Sequence, residues 1–388
     1  MLDPAAFLDD LDTLRGIGRR GTGVVRRAFD PDDIRARRRL ADRFAAAGLD
    51  PVIDPAGNVW GCGGPILIGS HTDTQPEGGW LDGSLGVIAG LAVARARPGA
   101  VSVVSFQDEE GRFGATTGSE IWSGALSLDA ADALTDLDGT TFGAARCALP
   151  STGSAPDPAR FRTYLEPHIE QGPVLDAAGE AVGIVTAIVG LRQVTVTMEG
   201  RQNHAGTTPM HLRADALRGF GMAQDAIATA LEDVVTPDSV WTIGHVALHP
   251  NAPSIVPGRV RFTVQWRDAS AARLERMETA IRRALEDAAR ASVLRIDISD
   301  TTALPPAPMD STLQDVLARA AEREAPGRWR RMPSGALHDA TNVARVLPVA
   351  MLFAPSIGGI SHAFDEDTDR DDLVTMLRVL DRAVGELT

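Results

Sequence analysis

The 388-residue sequence contains no lysine, since all 38 of its basic residues are arginine. This absence excludes sites built on an amine: a P-loop lysine, a Schiff base, a serine–lysine pair and a carboxylated lysine between two metals. The single tyrosine, Tyr164, leaves one candidate for acid catalysis by a phenol. The two cysteines, Cys62 and Cys147, are too few for a disulfide framework and lie in no CxxC motif, so we expect a reducing compartment.

Long apolar runs are absent as well, and the first residues, MLDPAAFLDDLDTLRG, contain no basic region followed by an apolar one. The sequence therefore does not favour secretion or membrane insertion. An excess of acidic residues, 52 against 38 basic ones, gives a net charge of −14, which disfavours binding to nucleic acid or anionic lipid. We expect a cytoplasmic protein whose partner is a small molecule, with no nucleic-acid and no membrane partner.

The length of the chain exceeds one compact core and predicts two domains. In the first part, the apolar runs at 65–68 and 101–106 enclose a helical pattern at 85–96. Such alternation predicts an α/β fold with a mixed, largely parallel sheet sandwiched by helices. The catalytic domain is expected to begin with residues 1–186.

The middle of the chain has a different pattern, in which strand-like segments at 187–300 surround two long helical stretches. This order is typical of an antiparallel sheet with helices on one face. The proline-rich segment TTALPPAPMD follows, after which helices and the apolar run VAMLF return. The sequence thus predicts an inserted α+β domain at 187–300 and the second part of the catalytic domain at 301–388.

Polar clusters follow three predicted strands of the first domain. SHTD follows PILIG, DEEG follows VSVVSFQ, and Ser361-His362 lies beyond VAMLF. Since loops and helix N-termini meet at the carboxyl ends of the strands in open α/β sheets, we expect a site at this edge.

The first cluster contains donor groups that suit a hydrolytic divalent metal, which needs neutral imidazole and ionised carboxylate. His71 lies two residues before Asp73, so the carboxylate could contact the second ring nitrogen of a ligating histidine. Asp82 could bind the same ion or bridge two. The alternative is purely structural: an exposed turn at His71 and a helix cap at Asp82.

The adjacent acids Glu109 and Glu110 have two interpretations. Solvation in a loop is the ordinary one. Near a metal, one carboxylate could bind the ion while the other acts as a general base, a division that metal-assisted hydrolysis requires.

Three further histidines have unusual surroundings: His168 in EPHIEQGPVL, His204 in RQNHAGTTPM, and His338 in SGALHDATN. His338 precedes a predicted helix start, where backbone N–H groups can receive an anion. We expect the remaining histidines of this part of the chain to be structural, namely His211, His245 and His249.

Taken together, these segments resemble the amidase and carbamoylase branch of the M20 metallopeptidase clan, with its N-carbamoyl-L-amino acid hydrolases, β-ureidopropionases and allantoate amidohydrolases. The resemblance covers nearly the whole chain, and its most specific motifs are EQGPVLD and NHAGTTPM. Further matching segments are DPAGNVWG, GSHTDT, LDGSLGVIAG, DEEGRFG, VPGRVRFTV, MPSGALHDA and GISHAFDE.

The resemblance implies two divalent metal ions; the ligand types do not choose among zinc, manganese, cobalt and nickel. The implied ligands are His71, Asp82 and His168 for one ion and Asp82, Glu110 and His362 for the other. Glu109 would be the general base that activates water, and Asp73 would support His71.

The resemblance also identifies the inserted domain as a lid and dimerisation domain of ferredoxin-like type, so a homodimer is expected. The implied substrate-binding residues are Gln171, His204, Asn251, Arg267, Ser334, Gly335 and His338. Among them, His204 would also polarise the scissile carbonyl and count as catalytic, and the fork of Arg267 suits a substrate carboxylate.

Four segments depart from the family pattern. EEGRF is one residue shorter than EEGxRF, so Arg112 is expected in a different position, and SHAFDEDT differs from the SHN-Pro-x-Glu continuation. Ser254 replaces a common asparagine, and Pro167 replaces leucine. In addition, Gln75, Glu77 and Trp80 are expected at the rim of the site. These residues are candidates for an altered substrate preference.

The leading functional hypothesis is a metal-dependent hydrolase of C–N bonds other than peptide bonds, acting on a small N-carbamoyl or ureido amino acid that carries a carboxylate. The closest alternative is an aminoacylase or dipeptidase of the same clan, acting on N-acyl amino acids. A catalytically silent binding protein is a third hypothesis. The presence of Glu109 and of every implied ligand argues against it.

Overall fold

The computed structural model describes all 388 residues, which form two compact units. Unit 1 comprises Met1–Thr186 and Met309–Thr388, and unit 2 comprises Ala187–Pro308. None of the helices is both long enough and apolar enough to cross a membrane.

The secondary structure comprises twelve α-helices and eighteen strands. The strands are β1 (Arg19–Arg20), β2 (Gly23–Val24), β3 (Asp50–Ile53), β4 (Val59–Cys62), β5 (Ile66–His71), β6 (Val101–Phe106), β7 (Thr163–Ile169), β8 (Val182–Ile188), β9 (Gly190–Glu199), β10 (Asn203–His204), β11 (Val240–His249), β12 (Ile255–Val256), β13 (Arg259–Asp268), β14 (Arg295–Ile298), β15 (Thr302–Leu304), β16 (Ala307–Pro308), β17 (Trp329–Ser334) and β18 (Val349–Ala354). The helices are α1 (Pro4–Arg15), α2 (Pro31–Ala46), α3 (Ser84–Ala96), α4 (Thr117–Trp122), α5 (Leu128–Asp132), α6 (Phe142–Arg146), α7 (Val174–Ala178), α8 (Ala216–Leu231), α9 (Ala271–Ser292), α10 (Ser311–Glu324), α11 (Ala340–Val343) and α12 (Arg370–Leu387).

Within unit 1, the strands of the sheet have the order β8-β18-β7-β5-β6-β4-β3, with β17 paired to β8. Its centre is parallel, because β18 pairs with β7, β7 with β5, and β5 with β6 in the same direction. The outer strands run antiparallel to their neighbours. The predicted mixed α/β sheet flanked by helices is confirmed, and its parallel part is limited to the four central strands.

The central strands are covered on both faces, so they contain continuous apolar runs. Every residue of β5, β6 and β18 is buried. Helix α3 is apolar on nearly all sides because it lies in this core. Gly86 allows the close approach of α3, since a Cβ there would lie 2.4 Å from the carbonyl oxygen of Pro167.

Unit 2 contains an antiparallel sheet with the order β11-β13-β9-β14 and two long helices, α8 and α9. It has its own core, which includes Val196, Phe262 and Ile281. Strand β15 pairs with Leu191–Gln193 of β9. Residues after 300 therefore still belong to this unit, and the chain returns to unit 1 at Met309 rather than at the predicted residue 301.

Candidate metal centre and active site

The predicted ligands of unit 1 lie at one edge of the sheet. His71 ends β5, Asp82 lies just before the N-cap residue of α3, Glu110 follows β6, and His168 lies near the end of β7. His362 follows β18 after a short 3-10 turn. These strands are parallel neighbours, so their carboxyl ends bring the side chains together.

The first group comprises three buried side chains, His71, Asp82 and His168. Asp82 Oδ1 lies 3.5 Å from His71 Nε2 and 3.1 Å from His168 Nε2. Each ring directs Nδ1 to a backbone carbonyl, of Asp73 at 3.0 Å and of Ile169 at 2.9 Å. Both Nε2 atoms therefore face the same carboxylate oxygen, the orientation that a ligating imidazole needs.

The second group comprises Asp82, Glu110 and His362. His362 Nε2 lies 3.3 Å from Asp82 Oδ2 and 3.6 Å from Glu110 Oε2. In each group the candidate donor atoms lie within 4.8 Å of one another. The two oxygens of Asp82 thus face different groups.

Asp73 has a different contact from the one expected. Its carboxylate is 3.9 Å from His71 Nδ1, while its backbone carbonyl is the closer acceptor. The carboxylate instead accepts a hydrogen bond from the backbone N–H of Glu110 at 3.2 Å and lies 3.4 Å from the guanidinium of Arg37. Asp73 thereby joins the loop after β5 to the loop after β6.

Glu109 lies beside the first group with its side chain largely buried, and its Oε2 is 3.5 Å from His71 Nε2. Burial raises the pKa of the Glu109 carboxyl well above its usual range. Burial, reinforced by repulsion from Asp82, raises the pKa of Glu110 to about 7. The two adjacent acids are thus not solvated loop residues, which was the ordinary interpretation.

The electrostatics fit divalent cations. Burial acts to lower the pKa of His71, yet the nearby carboxylates, led by Glu109, raise it well above its usual range. No arginine of unit 1 forms an ion pair with Asp82, Glu109 or Glu110. The carboxylates therefore stabilise positive charge beside the imidazole nitrogens. A bound metal ion would supply this charge in place of the protons on the histidines.

The glycine of the LDG motif, Gly83, has a conformation and a close contact that exclude a side chain. Its φ is +62°, and a Cβ at this position would lie 2.4 Å from the ring of His71. Its backbone N–H is 3.2 Å from His168 Nε2. A side chain here would displace a predicted ligand.

Two predicted substrate-binding residues lie beside the groups. Gln171 adopts a left-handed backbone conformation with φ of 58°, and its Nε2 donates to Asp82 Oδ2 at 3.0 Å. Its Oε1 is buried without a hydrogen-bond partner. The ring of His338 lies 4.5 Å from that of His168, and burial holds the pKa of His338 well below its usual range. His338 is therefore neutral.

His338 also contacts Ser334, another predicted substrate-binding residue, since its Nε2 is 2.9 Å from Ser334 Oγ. The helix start behind His338 is already occupied by a carboxyl group of the protein itself. The backbone N–H of Ala340 donates to the carboxylate of Glu166 at 2.8 Å.

The remaining predicted substrate-binding residues belong to unit 2. His204 ends β10 and is exposed, and its Nδ1 accepts hydrogen bonds from the N–H groups of Gly206 and Thr207. Its Nε2 therefore carries the proton and can donate. Asn251 follows the cis His249–Pro250 bond. Arg267 lies in β13, and its guanidinium donates a hydrogen bond to Gln265 Oε1 at 3.1 Å.

Comparison with known proteins identifies the family. The model of Peptidase family M20/M25/M40 matches residues 67–386. The chain belongs to this family.

Individual M20 relatives match along almost the whole chain. Allantoate amidohydrolase of Escherichia coli (strain K12) is 35% identical, over 92% of this chain and 91% of that protein. N-carbamoyl-L-amino-acid amidohydrolase of Paenarthrobacter aurescens is 33% identical, over 93% of this chain and 94% of that protein. The crystal structure of an amidase (hydantoinase/carbamoylase family) from Burkholderia phymatum superposes with a TM-score of 0.92 at 40% identity, covering 100% of this chain and 99% of that chain.

These matches confirm the resemblance found in the sequence. The protein is an M20 amidohydrolase and thus a hydrolase. Enzymes of the family use divalent metals, and the two groups around Asp82 are candidate ligands for them.

Glu366 is a buried residue of the M20 site that the sequence analysis missed. Its Oε1 accepts hydrogen bonds from the backbone N–H groups of Leu81 and Asp82 at 3.2 and 3.1 Å, and its Oε2 accepts one from Ser361 Oγ. Glu366 occupies the glutamate position of SHN-Pro-x-Glu, so SHAFDE departs only at Ala363 and Phe364. Aligning SHAFDE with the family motif, residue by residue, would have identified Glu366 from the sequence.

The other departures have local explanations. In the shortened EEGRF loop, Arg112 forms ion pairs with Asp30 at 2.7 Å and Asp136 at 3.0 Å, which makes it a structural residue. Pro167 lies within β7, and the backbone oxygen of Ser254 accepts from the N–H that follows His204.

The expected rim residues separate into different environments. Trp80 is buried, with the guanidinium of Arg15 4.5 Å from its ring centroid, and so does not line a rim. Glu77 is exposed, while Gln75 is partly buried and contacts Glu110.

Proposed function

We propose that this M20 amidohydrolase cleaves the C–N bond of a small N-carbamoyl or ureido amino acid with the help of two divalent metal ions. His71, Asp82 and His168 would hold one ion, and Asp82, Glu110 and His362 the other. The observation that carries the proposal is the carboxylate of Asp82, which directs one oxygen to each group. A shared carboxylate offsets the repulsion between two cations.

The ions would supply Lewis-acid activation, and Glu109 would transfer the proton. A divalent ion acts as a Lewis acid that polarises the scissile carbonyl and makes water a stronger nucleophile. Glu109, which lies beside His71 without being needed as a ligand, takes the proton of the attacking water. It then returns that proton to the leaving nitrogen. A ureido substrate releases ammonia and carbon dioxide once its carbamate decomposes.

Gln171 supports a ureido substrate over an acyl substrate. Its Nε2 lies 3.0 Å from Asp82 Oδ2 and 3.2 Å from His362 Nε2, whereas its Oε1 is a buried acceptor without a partner. The terminal NH2 of a carbamoyl group satisfies such an acceptor, while an acetyl methyl leaves it unpaired at a cost of about 1–3 kcal/mol.

The remaining predicted residues would orient the substrate. His204 offers a donor at Nε2 for the developing oxyanion, and Arg267 offers a fork for the substrate carboxylate. Asn251, Ser334, Gly335 and His338 would complete the pocket.

Unit 2 would serve as the lid and dimerisation domain of a cytoplasmic homodimer. The four strands of its main sheet and its two long helices follow in the order β9, α8, β11, β13, α9 and β14, which supports assignment to the ferredoxin-like type. The alternative function, an aminoacylase or dipeptidase acting on N-acyl amino acids, shares the metal ligands and differs in the group that faces Gln171.

Metal content and a substrate panel test the proposal. Purified protein would be assayed with N-carbamoyl, N-formyl and N-acetyl amino acids and with allantoate, each with added manganese, zinc, cobalt or nickel. We expect two ions per chain and release of ammonia from a carbamoyl or ureido compound. Release of acetate without ammonia would support the alternative, and less than one ion per chain would contradict the metal-based mechanism.

A further inference from the structure

Gln75 makes three hydrogen bonds to a single residue, Glu110. Its backbone N–H donates to Glu110 Oε1 at 3.2 Å. Its side-chain Nε2 donates to Glu110 Oε2 at 2.7 Å and to the Glu110 backbone carbonyl at 3.1 Å. Gln75 therefore donates to both carboxylate oxygens of Glu110 and to the backbone carbonyl of the same residue.

The backbone of Gln75 is itself fixed. Thr74 Oγ1 donates to the carbonyl of Gln75 at 3.0 Å and accepts from the N–H of Arg26 at 2.9 Å. The N–H of Thr74 donates in turn to the carbonyl of Arg26 at 2.9 Å. The side-chain amide that donates to Glu110 thus belongs to a residue whose backbone is already ordered. Forming the contact therefore costs little additional conformational entropy.

The surroundings of Glu109 and Glu110 differ because of this contact. Glu109 Oε2 lies near His71, and no hydrogen bond from Gln75 reaches it. Glu110 is held by Asp73 at its backbone N–H and by Gln75 at its carboxylate. The Oε2 atom that accepts from Gln75 is also the oxygen nearest to His362, at 3.6 Å. A carboxylate oxygen has two lone pairs, so it can accept this hydrogen bond and still bind a cation.

We propose that Gln75 is a positioning residue for the second metal ion. It orients Glu110 as a ligand of the ion at Asp82, Glu110 and His362 and does not contribute to the ion at His71, Asp82 and His168. The inference rests on the two-ion ligand set proposed above. Loss of a hydrogen-bonding partner behind a metal ligand typically weakens binding about 10- to 100-fold. We expect a loss of this size for the second ion alone.

The test is direct titration of the metal-free, full-length protein with cobalt(II) alone, by calorimetry and by counting ions after dialysis. Gln75→Met keeps the length of the side chain and removes the donor, while Gln75→Asn keeps the amide but shortens its reach. Glu77→Gln is the matched control, since Glu77 is exposed on the same loop. His168→Ala and His362→Ala assign the two binding events to the two groups.

Three results decide the inference. It is supported if both Gln75 variants weaken the event that His362→Ala removes by about 10- to 100-fold and change the other event less than about twofold, with Glu77→Gln like the wild type. An unchanged second event, or equal weakening of both events in Gln75→Asn, would overturn the role of Gln75 and leave two-ion binding intact. If the wild type binds fewer than two ions, the ligand set fails and the inference fails with it.

Discussion

Replacing Glu366 by alanine should destabilise the loop that presents Asp82. Two buried backbone N–H groups, those of Leu81 and Asp82, would lose their acceptor. Each unsatisfied donor costs about 1–3 kcal/mol, so we expect a loss of about 2–6 kcal/mol in the free energy of unfolding. Since Asp82 belongs to both ligand groups, the affinity for both ions should fall by about 10- to 100-fold.

Glu366→Gln is the matched variant. Both N–H groups donate to the same oxygen, Oε1, which a glutamine retains. Its NH2 would replace Oε2 and could donate to the hydroxyl of Ser361. The expected loss is therefore about 1 kcal/mol or less.

Urea unfolding of the metal-free proteins, followed by tryptophan fluorescence, measures the difference between the two variants. Hydrogen exchange of the peptide that spans residues 79–85 measures opening of the loop itself. If Glu366→Ala unfolds within about 0.5 kcal/mol of the wild type, exchanges this peptide no faster and keeps both ion affinities, then Glu366 does not hold the loop.

Three further changes have defined outcomes. Glu109→Gln should lower kcat by about 10²- to 10⁴-fold while both ions stay bound, as measured by steady-state kinetics and metal analysis, and full activity in this variant would exclude Glu109 as the base. Removal of metal by a chelator should abolish ammonia release, and adding back manganese, zinc, cobalt or nickel should restore it; activity that survives complete removal would contradict the proposed function. Gly86→Ala should be less stable than Gly221→Ala by about 1–3 kcal/mol in urea unfolding, because a Cβ meets the Pro167 carbonyl at 2.4 Å in the first case and open space in the second. Equal stability of the two would show that α3 can shift without cost.

The position of the candidate site was predictable because the carboxyl ends of parallel strands meet. His71, Glu110 and His168 each lie at or just after such a strand, so their juxtaposition follows from the order of apolar runs and polar clusters. Their assignment to two ions depended on the resemblance to a known family, since spacing alone leaves a helix-capping role for Asp82 open.

Finer contacts were not predictable from local patterns. Sequence spacing suggested that the carboxylate of Asp73 contacts His71, but it does not determine which oxygen of the residue approaches the ring, and the backbone oxygen is closer. The hydrogen bonds of Glu366 to the loop before α3 join residues far apart in the chain. Strand β15 lies within the predicted linker TTALPPAPMD, yet it pairs with β9, a contact that the composition of the segment does not indicate.

The order of strands in unit 1 has a consequence for synthesis of the chain. Strands β7 and β8 are consecutive in sequence, yet β18 lies between them in the sheet. On a ribosome, the ligands up to His168 emerge well before His362 and Glu366, separated from them by all of unit 2. At about 5–20 residues per second this delay is roughly 10–40 s. Strand β8 cannot join the central strands, and Glu366 cannot accept from the N–H groups of Leu81 and Asp82, until the last part of the chain has been made. We therefore expect the ion proposed at Asp82, Glu110 and His362 to bind late, after His362 has been made.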